Sequence, residues 1–380
     1  MRRRIWLAGA LSAVGLAGAV VGSARSSAEF AWDLPKGFPL PVVPADNPMS
    51  AAKVELGRHL FYDLRLSGNG TQSCATCHQQ EIAFTEGLAT SQGSTGEEHP
   101  RNSMSLVNVA YAATLTWANP SLTRLEDQAA VPMFGRHPVE LGLGEDRDWL
   151  EPLRRDARYP SLFRGAFPDE ADPFSRANVL KALATFQRTI VSARSPYDRY
   201  HFARDDQAVS DAAKRGEVLF HSRPLSCFTC HGGVNFSTAT VSAGTSTSRV
   251  VQFHNTGLYN LPGLLSYPAP NTGIYEVTRD PKDVGKFRPP TLRNIAVTAP
   301  YMHDGSIASL EDVLAHYEAG GRTVTDGPYK GVGRDNPNKS PAIRGFSLTP
   351  GERADLLAFL RSLTDESVLR DPRLANPWRR

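Results

Sequence analysis

The sequence predicts an all-α protein built from two similar domains in tandem, with long irregular loops between short helices. The first observation is a five-residue motif, Cys-x-x-Cys-His, that occurs at 74–78 and again at 227–231. The second is that a similar helical segment precedes each copy, and a helix-period pattern of apolar residues follows each copy downstream. The 31 glycines and 28 prolines place many of the remaining residues in loops.

The amino-terminal segment 1–28 has the pattern of a secretory signal peptide and is excluded from the fold. Three arginines at 2–4 precede an apolar run at 5–21, and small residues follow up to Ala28. An uncleaved membrane anchor is the alternative, but the run is shorter than the roughly 20 apolar residues that a spanning helix needs. No later segment is long and apolar enough to span a bilayer.

The net charge argues against nucleic acid as a partner. The whole chain has 42 basic and 39 acidic residues, which gives +3. Segment 1–28 contains four arginines and no acidic residue, so its removal leaves a net charge of −1. A nearly neutral chain lacks the basic surface that nucleic-acid binding requires.

All four cysteines of the chain fall in the two Cys-x-x-Cys-His motifs. They are Cys74 and Cys77, followed by His78, and Cys227 and Cys230, followed by His231. Two thiols at this spacing can form thioethers with one haem, and the adjacent histidine can bind its iron. A zinc site would need two cysteine pairs close together or a histidine pair downstream, and a redox disulfide leaves both histidines unexplained. The motifs therefore predict two covalent c-type haems, each with the motif histidine as an axial ligand.

Helix signals surround both motifs in the same order. Segments 56–61 and 215–220 indicate the ends of short helices, one before each motif, with a shared glycine and apolar face. Ser175 begins a downstream helix with apolar residues at helical spacing. Thr349 begins the corresponding helix after the second motif, as a capping box with proline at the first helical position.

This repetition predicts an internal duplication. We expect two cytochrome c-like haem domains, the first at 29–205 and the second at 206–380. The linker between them is expected near 195–211. The stretch at about 232–300 is rich in Gly, Pro, Ser, Thr and Asn, so little regular structure and few strands are expected there.

Beyond these motifs, the chain resembles the bacterial di-haem cytochrome c peroxidase and MauG family over nearly its whole mature length. The resemblance rests on Pro-Thr-Leu-Arg-Asn at 290–294 and Thr-Ala-Pro-Tyr-Met-His-Asp-Gly at 298–305. It implies that the amino-terminal haem reacts with peroxide and that the carboxy-terminal haem is low-spin and transfers electrons. The distal ligand of the second haem is methionine in the peroxidases and tyrosine in MauG.

In this chain the resemblance puts that distal ligand at Tyr317, seventeen residues after Pro300. Ser309 and Asp312 would cap the helix that bears it. His316 and Met302 are the competing ligands nearby. A tyrosine ligand implies a low reduction potential and places the chain closest to the MauG- and MbnH-like branch of the family.

The resemblance also assigns residues around the first haem and between the haems. It implies an electron relay through Trp117 and proton movement between the peroxide oxygens by Glu140. His137 is the alternative to Glu140, and His99 is expected to be a loop histidine rather than a ligand. The remaining assignments are Gln128 and Pro132 in the peroxide pocket, and Asn102 with the carbonyl oxygens of Thr298 and Pro300 around a calcium ion.

Together, these features predict a periplasmic di-haem c-type oxidoreductase with two covalent haem c groups and one Ca²⁺. The leading hypothesis is that it uses hydrogen peroxide to oxidise a residue of a secreted partner protein. One alternative is a peroxidase that reduces hydrogen peroxide with electrons from a small redox protein. The other alternative is a non-catalytic di-haem electron carrier.

Overall fold

The structure, a computed structural model, is mainly helical and describes residues 30–144, 147–245, 250–263 and 265–378. The predicted signal peptide lies outside the described residues, and within them no helix is long and apolar enough to cross a membrane. In chain order the helices are α1 (Ala51–Phe61), α2 (Cys74–Cys77), α3 (Leu125–Phe134), α4 (Glu151–Arg155), α5 (Tyr159–Ala166), α6 (Arg176–Arg188), α7 (Pro196–Phe202), α8 (Asp211–Phe220), α9 (Tyr275–Thr278), α10 (Leu310–Glu318), α11 (Pro350–Ser362) and α12 (Glu366–Arg370). A short antiparallel hairpin pairs β1 (Thr323–Val324) with β2 (Gly331–Val332).

The capping residues identified in the sequence begin the helices that they predict. Ser175 accepts a hydrogen bond from the backbone of the first turn of α6, and Ser309 does the same for α10. Thr349 and Glu352 form a capping box at the start of α11. Each cap satisfies backbone N–H groups that would otherwise lack partners, so the helix starts are fixed locally.

The segment predicted as a linker, 195–211, contains α7. Ser195 and Asp198 form a capping box with proline at the first helical position, which is a local signal for a helix. Asp198 also binds the Arg293 guanidinium at 2.8 and 2.9 Å, and both side chains are only 1% exposed. A buried, bidentate ion pair of this kind joins α7 firmly to the segment that follows the second haem motif.

Two equivalent helix pairs support the two motifs. Helix α1 packs against α6, and α8 packs against α11. A β-carbon at Gly57 of α1 would overlap the carbonyl oxygen of Ala182, and one at Gly216 of α8 would overlap that of Asp355. Each pair therefore approaches through a glycine at the same place in the repeat. This correspondence supports the internal duplication.

Apolar side chains form two main clusters. The first lies mainly among α1, α3, α5 and α6, and the second among α8, α10 and α11. Val368, Leu369 and Trp378 near the carboxyl terminus pack with the first cluster, whereas Ala118 packs with the second. The chain thus crosses between clusters, and the domain bounds 29–205 and 206–380 remain a prediction.

Candidate haem and peroxide site

A cavity of about 1270 Å³ lies beside the first haem motif. The motif cysteines and His78 form part of its wall. The walls also include the residues predicted for the peroxide pocket and the electron relay, namely Gln128, Pro132, Glu140 and Trp117, and Asn102 of the predicted calcium site. Residues that are distant in sequence are therefore brought to one space that adjoins the predicted haem attachment site.

The first motif is a single helical turn that ends in an oriented histidine. The Ser73 N–H group donates a hydrogen bond to Thr76 Oγ at 3.0 Å at the start of α2. His78 Nδ1 lies 2.9 Å from the Phe84 carbonyl oxygen, which leaves Nε2 as the nitrogen that would bind iron. Burial lowers the pKa of His78, so the ring is neutral at pH 7, the form that binds a metal ion.

The second motif repeats this arrangement. His231 Nδ1 lies 3.1 Å from the Phe236 carbonyl oxygen, and burial lowers the pKa of His231 to about 4. All four cysteines of the chain are free, so no disulfide joins the two motifs. Both sites therefore have the donor set that covalent haem c attachment requires, with a backbone carbonyl that orients each axial histidine.

Tyr317 lies on α10 next to the second motif. Burial raises the pKa of Tyr317, and the nearby Cys230 and Cys227 thiols raise it further. His316 is buried elsewhere on the helix, where burial and then the Arg322 charge lower its pKa to about 4. Of these two neighbours, Tyr317 is the one close to the motif cysteines. Its role as an iron ligand stays a prediction.

Met302, the other competing ligand, packs with the second apolar cluster and has a left-handed backbone, with φ of 72°. These are the contacts of a core residue, and a methionine fills irregular space in a core well.

The loop after α3 holds Glu140 against the cavity. The Leu141 N–H group donates to the Pro132 carbonyl oxygen at 2.8 Å, and the Ser94 N–H group donates to the Glu140 carbonyl oxygen at 2.6 Å. Gln128 and Pro132 are one turn apart on α3 and share a face of that helix. The side chain of Glu140 is 37% exposed, and its partial burial raises its pKa to about 7. A carboxyl group that titrates near neutral pH is suited to both accept and release a proton.

His99 is closer to this group than the sequence predicts. Its Nε2 atom lies 3.8 Å from Glu140 Oε1, and its Nδ1 atom accepts a hydrogen bond from the Arg101 N–H group at 3.1 Å. His99 lines the cavity, as does the exposed His137. The expectation that His99 is only a loop histidine overlooked this contact, because 41 residues separate it from Glu140 and no local pattern connects them.

Trp117 and Asn102 are connected directly. The Trp117 indole N–H group donates to the Asn102 carbonyl oxygen at 2.9 Å, and the Asn102 N–H group donates to the His303 carbonyl oxygen at 2.9 Å. Trp117 also packs with the second apolar cluster, so it connects the cavity to that cluster.

The calcium site at Asn102, Thr298 and Pro300 stays a prediction. The Asn102 amide group donates to the Leu88 carbonyl oxygen at 2.8 Å, and Thr298 and Pro300 lie just before the His303 segment that Asn102 contacts. In the part of the chain that the structure describes, no group of three or more His, Cys, Asp or Glu side chains could hold a metal ion. The predicted ligands are an amide and backbone oxygens, which calcium also accepts.

Arg288 is a residue of the cavity wall that the sequence analysis missed. It is 8% exposed, and burial lowers the pKa of its guanidinium to about 10. The guanidinium donates hydrogen bonds to the Thr116 carbonyl oxygen at 2.9 Å and to Met104 Sδ at 3.3 Å. Within the described ranges it has no carboxylate partner. A buried, uncompensated cation fits a carboxylate-bearing group such as a haem propionate. The Arg-Pro-Pro sequence at 288–290 is the only local signal that marks it.

Comparisons with known proteins agree with this arrangement. The family model described as di-haem cytochrome c peroxidase matches residues 51–207. The cytochrome-c peroxidase IdrP1 of Denitromonas iodatirespirans is 36% identical, and the alignment covers 96% of each chain. The methylamine utilization protein MauG of Methylorubrum extorquens is 34% identical over 85% of this chain and 81% of its own length.

A solved structure is similar over a comparable span. It is described as a MauG-like protein associated with microbial copper homeostasis, is 48% identical, and superposes with a TM-score of 0.89 over 92% of this chain and 100% of its own. The predicted family is thereby confirmed. The chain belongs to the di-haem cytochrome c peroxidase and MauG family of oxidoreductases.

Proposed function

We propose that this protein is a periplasmic enzyme that uses hydrogen peroxide to oxidise a residue of a partner protein. Family membership implies two haem c groups, for which the two motifs provide the thiols and histidines. The observation that carries the proposal is Tyr317, whose phenol is near both thiols of the second motif. A phenolate is a hard anionic donor that stabilises oxidised iron and lowers its reduction potential.

When bound, the haem at the first motif supplies the redox-active iron at which peroxide is reduced. His78 would hold that iron through Nε2, and the cavity would give peroxide access to the site. Glu140 takes a proton from one peroxide oxygen and returns it to the other, and Gln128 lies on the same cavity wall to hydrogen-bond the reactant. Trp117 provides an oxidisable ring between the cavity and the second apolar cluster.

The comparisons include MauG and a MauG-like protein, the branch of the family to which the proposal assigns this chain. The 48% identical solved structure is MauG-like by its description, and MauG itself is 34% identical. We further propose that one Ca²⁺, bound by Asn102 and the carbonyl oxygens of Thr298 and Pro300, stabilises the segment between the two motifs.

The second candidate function is a peroxidase that takes electrons from a small redox protein. The surface next to the second motif favours it, because Phe228 lies between the motif cysteines with 38% of its surface exposed, and Val218 on α8 is 71% exposed. Such apolar residues beside a haem edge can form a small docking site for a mobile cytochrome. The 36% identity with cytochrome-c peroxidase IdrP1 is compatible with the same function.

Replacement of Tyr317 by Met or by Phe distinguishes these functions. In the native holoprotein we expect one equivalent of peroxide to leave two oxidising equivalents stored for seconds or longer, with slow turnover of a reduced small cytochrome. Both variants should raise the reduction potential of the second haem and shorten the lifetime of the stored equivalents. Stopped-flow absorption and spectroelectrochemistry measure these quantities.

Tyr301→Phe is the matched control. Tyr301 is also a buried tyrosine of the second cluster, but its hydroxyl donates to the Ile295 carbonyl oxygen at 3.0 Å. This variant should keep the native potential and lifetime. The second candidate function would be established instead by two results together: the native protein turns over the small cytochrome rapidly, and the Tyr317 variants behave like the control.

A further inference from the structure

Three tyrosines form a continuous series from the interior to the surface. The ring centres of Tyr267 and Tyr259 are 5.4 Å apart, and those of Tyr259 and Tyr329 are 5.5 Å apart, both in edge-to-face contact. Tyr267 and Tyr259 are each 4% exposed, whereas Tyr329 is 45% exposed. The series therefore runs from the second apolar cluster to solvent with one oxidisable ring at each step.

The inner end of the series reaches the residues around Trp117. Tyr267 lies 6.0 Å from the His303 ring, which is stacked on Phe287 at 3.7 Å. The His303 carbonyl oxygen accepts the Asn102 N–H group, and the Asn102 carbonyl oxygen accepts the Trp117 indole N–H group, both at 2.9 Å. Two hydrogen bonds and a stack of rings thus connect the tryptophan to the first tyrosine of the series.

The middle tyrosine, Tyr259, is hydrogen-bonded to a carboxylate that can accept its proton. The Tyr259 hydroxyl donates to Asp304 Oδ2 at 2.6 Å. Burial alone would raise the pKa of Asp304, but interaction with His303 and hydrogen bonds from Tyr259 and Ser306 hold it below its usual value, so the group is a carboxylate at pH 7. A phenol that loses an electron becomes a strong acid, and a hydrogen-bonded carboxylate can take its proton at once. Core packing alone does not require this charged partner.

The outer tyrosine lies in the loop of the β1–β2 hairpin. A surface groove of about 390 Å³ is formed by residues 322–326 with Pro328 and Tyr329. The Arg322 guanidinium lies 4.5 Å from the centre of the Tyr259 ring and donates to Ser306 Oγ at 2.9 Å. These contacts fix the base of the groove, while the Tyr329 ring remains accessible to another molecule.

We propose that Tyr267, Tyr259 and Tyr329 relay electrons inward from a partner protein that docks on the β1–β2 hairpin and presents an exposed tryptophan or tyrosine. This relay rests on the proposed function. Hydrogen peroxide is the oxidant: with two protons and two electrons, its O–O bond breaks and two water molecules form. For each electron, Tyr329 loses one electron to the interior and its phenolic proton to solvent, and the resulting phenoxyl radical takes an electron and a proton from the partner side chain.

Tyr259 passes each electron by giving its own proton to Asp304 and taking it back when it is re-reduced. Tyr267 keeps its phenolic proton, because its ring serves only as the medium through which the electron tunnels from Tyr259 toward the His303 ring. Two passages therefore remove two electrons and two protons from the partner residue and leave every tyrosine of the relay as a phenol. No further oxidant or reductant is needed.

The relay predicts where a radical is found when no partner is present. We would treat the holoprotein with one equivalent of hydrogen peroxide and the spin trap DMPO, and locate covalent adducts by tryptic mass spectrometry. The native protein should carry the adduct on Tyr329. In Tyr259→Phe and Asp304→Asn the adduct at Tyr329 should fall to the background seen without peroxide, while haem absorption shows the same initial rate of reaction with peroxide.

Tyr200→Phe is the matched control. Tyr200 is a surface-region tyrosine on α7 that contacts His201 and Lys214 and lies outside the relay. This variant should leave the adduct at Tyr329 unchanged. Because Tyr329→Phe alters only an exposed side chain, it should fold, lose the adduct and lengthen the lifetime of the stored equivalents.

The outcomes separate the relay from the function on which it rests. If peroxide leaves no stored oxidising equivalents in the native protein, the proposed function and the relay are both wrong. If the equivalents are stored but the adduct forms on other residues, or if it persists at Tyr329 in Tyr259→Phe, the relay alone is overturned.

Discussion

Glu140→Gln tests the proton transfer that peroxide cleavage requires. The substitution keeps the size and hydrogen-bonding capacity of the side chain but removes its ability to carry a proton between two oxygens. A positioned general acid–base contributes about 10²- to 10⁴-fold to a rate. We therefore expect the peroxide reaction of the holoprotein to slow by about 10²-fold or more, with both haems still attached.

The pH dependence of the native rate follows from the same residue. Partial burial raises the pKa of Glu140 to about 7, and the ionised form is the one that accepts the first proton. The ionised fraction is then about one-half at pH 7, about one-tenth at pH 6 and about nine-tenths at pH 8. The rate should thus rise about tenfold from pH 6 to pH 8, and activity is lost as the pH falls through 7.

Stopped-flow absorption with limiting peroxide measures both effects. His137→Gln is the control, because His137 is exposed on the same loop and also lines the cavity. It should keep the native rate and the native pH profile. A Glu140→Gln variant that retains the native rate and still loses activity below pH 7 would refute the reasoning and assign the proton transfer to another group.

Three further predictions concern the scaffold. Changing Cys227 and Cys230 together to Ala should lower the haem content from two to one, as measured by intact mass and haem-stained gels; a protein that keeps two covalent haems contradicts the motif assignment. Gly216→Ala should lower the free energy of unfolding by about 1–3 kcal/mol in urea, because its β-carbon meets a backbone carbonyl. Gly351→Ala should be nearly neutral, because its β-carbon meets only the Thr349 hydroxyl, at 4.0 Å. Arg293→Met should cost about 3–5 kcal/mol in the same assay, because it leaves a buried carboxylate unpaired, and a loss below 1 kcal/mol would show that water reaches that carboxylate.

The local features of this protein were predictable, and the features that join distant segments were not. Caps at Ser175, Ser309 and Thr349 are decided within one helical turn, so the sequence predicts those helix starts correctly. The helix α7 inside the expected linker was missed, although Ser195 and Asp198 carry its capping box and Pro196 follows at the first helical position.

Among the site residues, too, contacts between distant segments were not predictable from the sequence. Gln128, Pro132 and Glu140 were assigned by resemblance, and all three line the cavity. The contact between His99 and Glu140, by contrast, depends on how two loops pack, and no spacing in the sequence reports it. The same holds for the tyrosine series, in which Tyr329 reaches Tyr259 only because the hairpin packs against that residue.

The predicted duplication would explain why the two predicted haem sites are alike on one side and different on the other. Gly57 and Gly216 create the same helix contact, and His78 and His231 each bind a backbone carbonyl through Nδ1, so the proximal scaffold is repeated. The distal surroundings come from segments that the repeat does not share: the loop with Glu140 at the first site and α10 at the second. A carboxyl group that titrates near pH 7 suits proton transfer to peroxide, whereas a phenol beside the second motif suits the storage of oxidising equivalents. The proposed division of roles between the two sites therefore requires no difference between the two attachment motifs. The loop with Glu140 and helix α10, which the repeat does not share, are sufficient to produce this division. Substitutions in either segment should alter one haem site without disturbing the other.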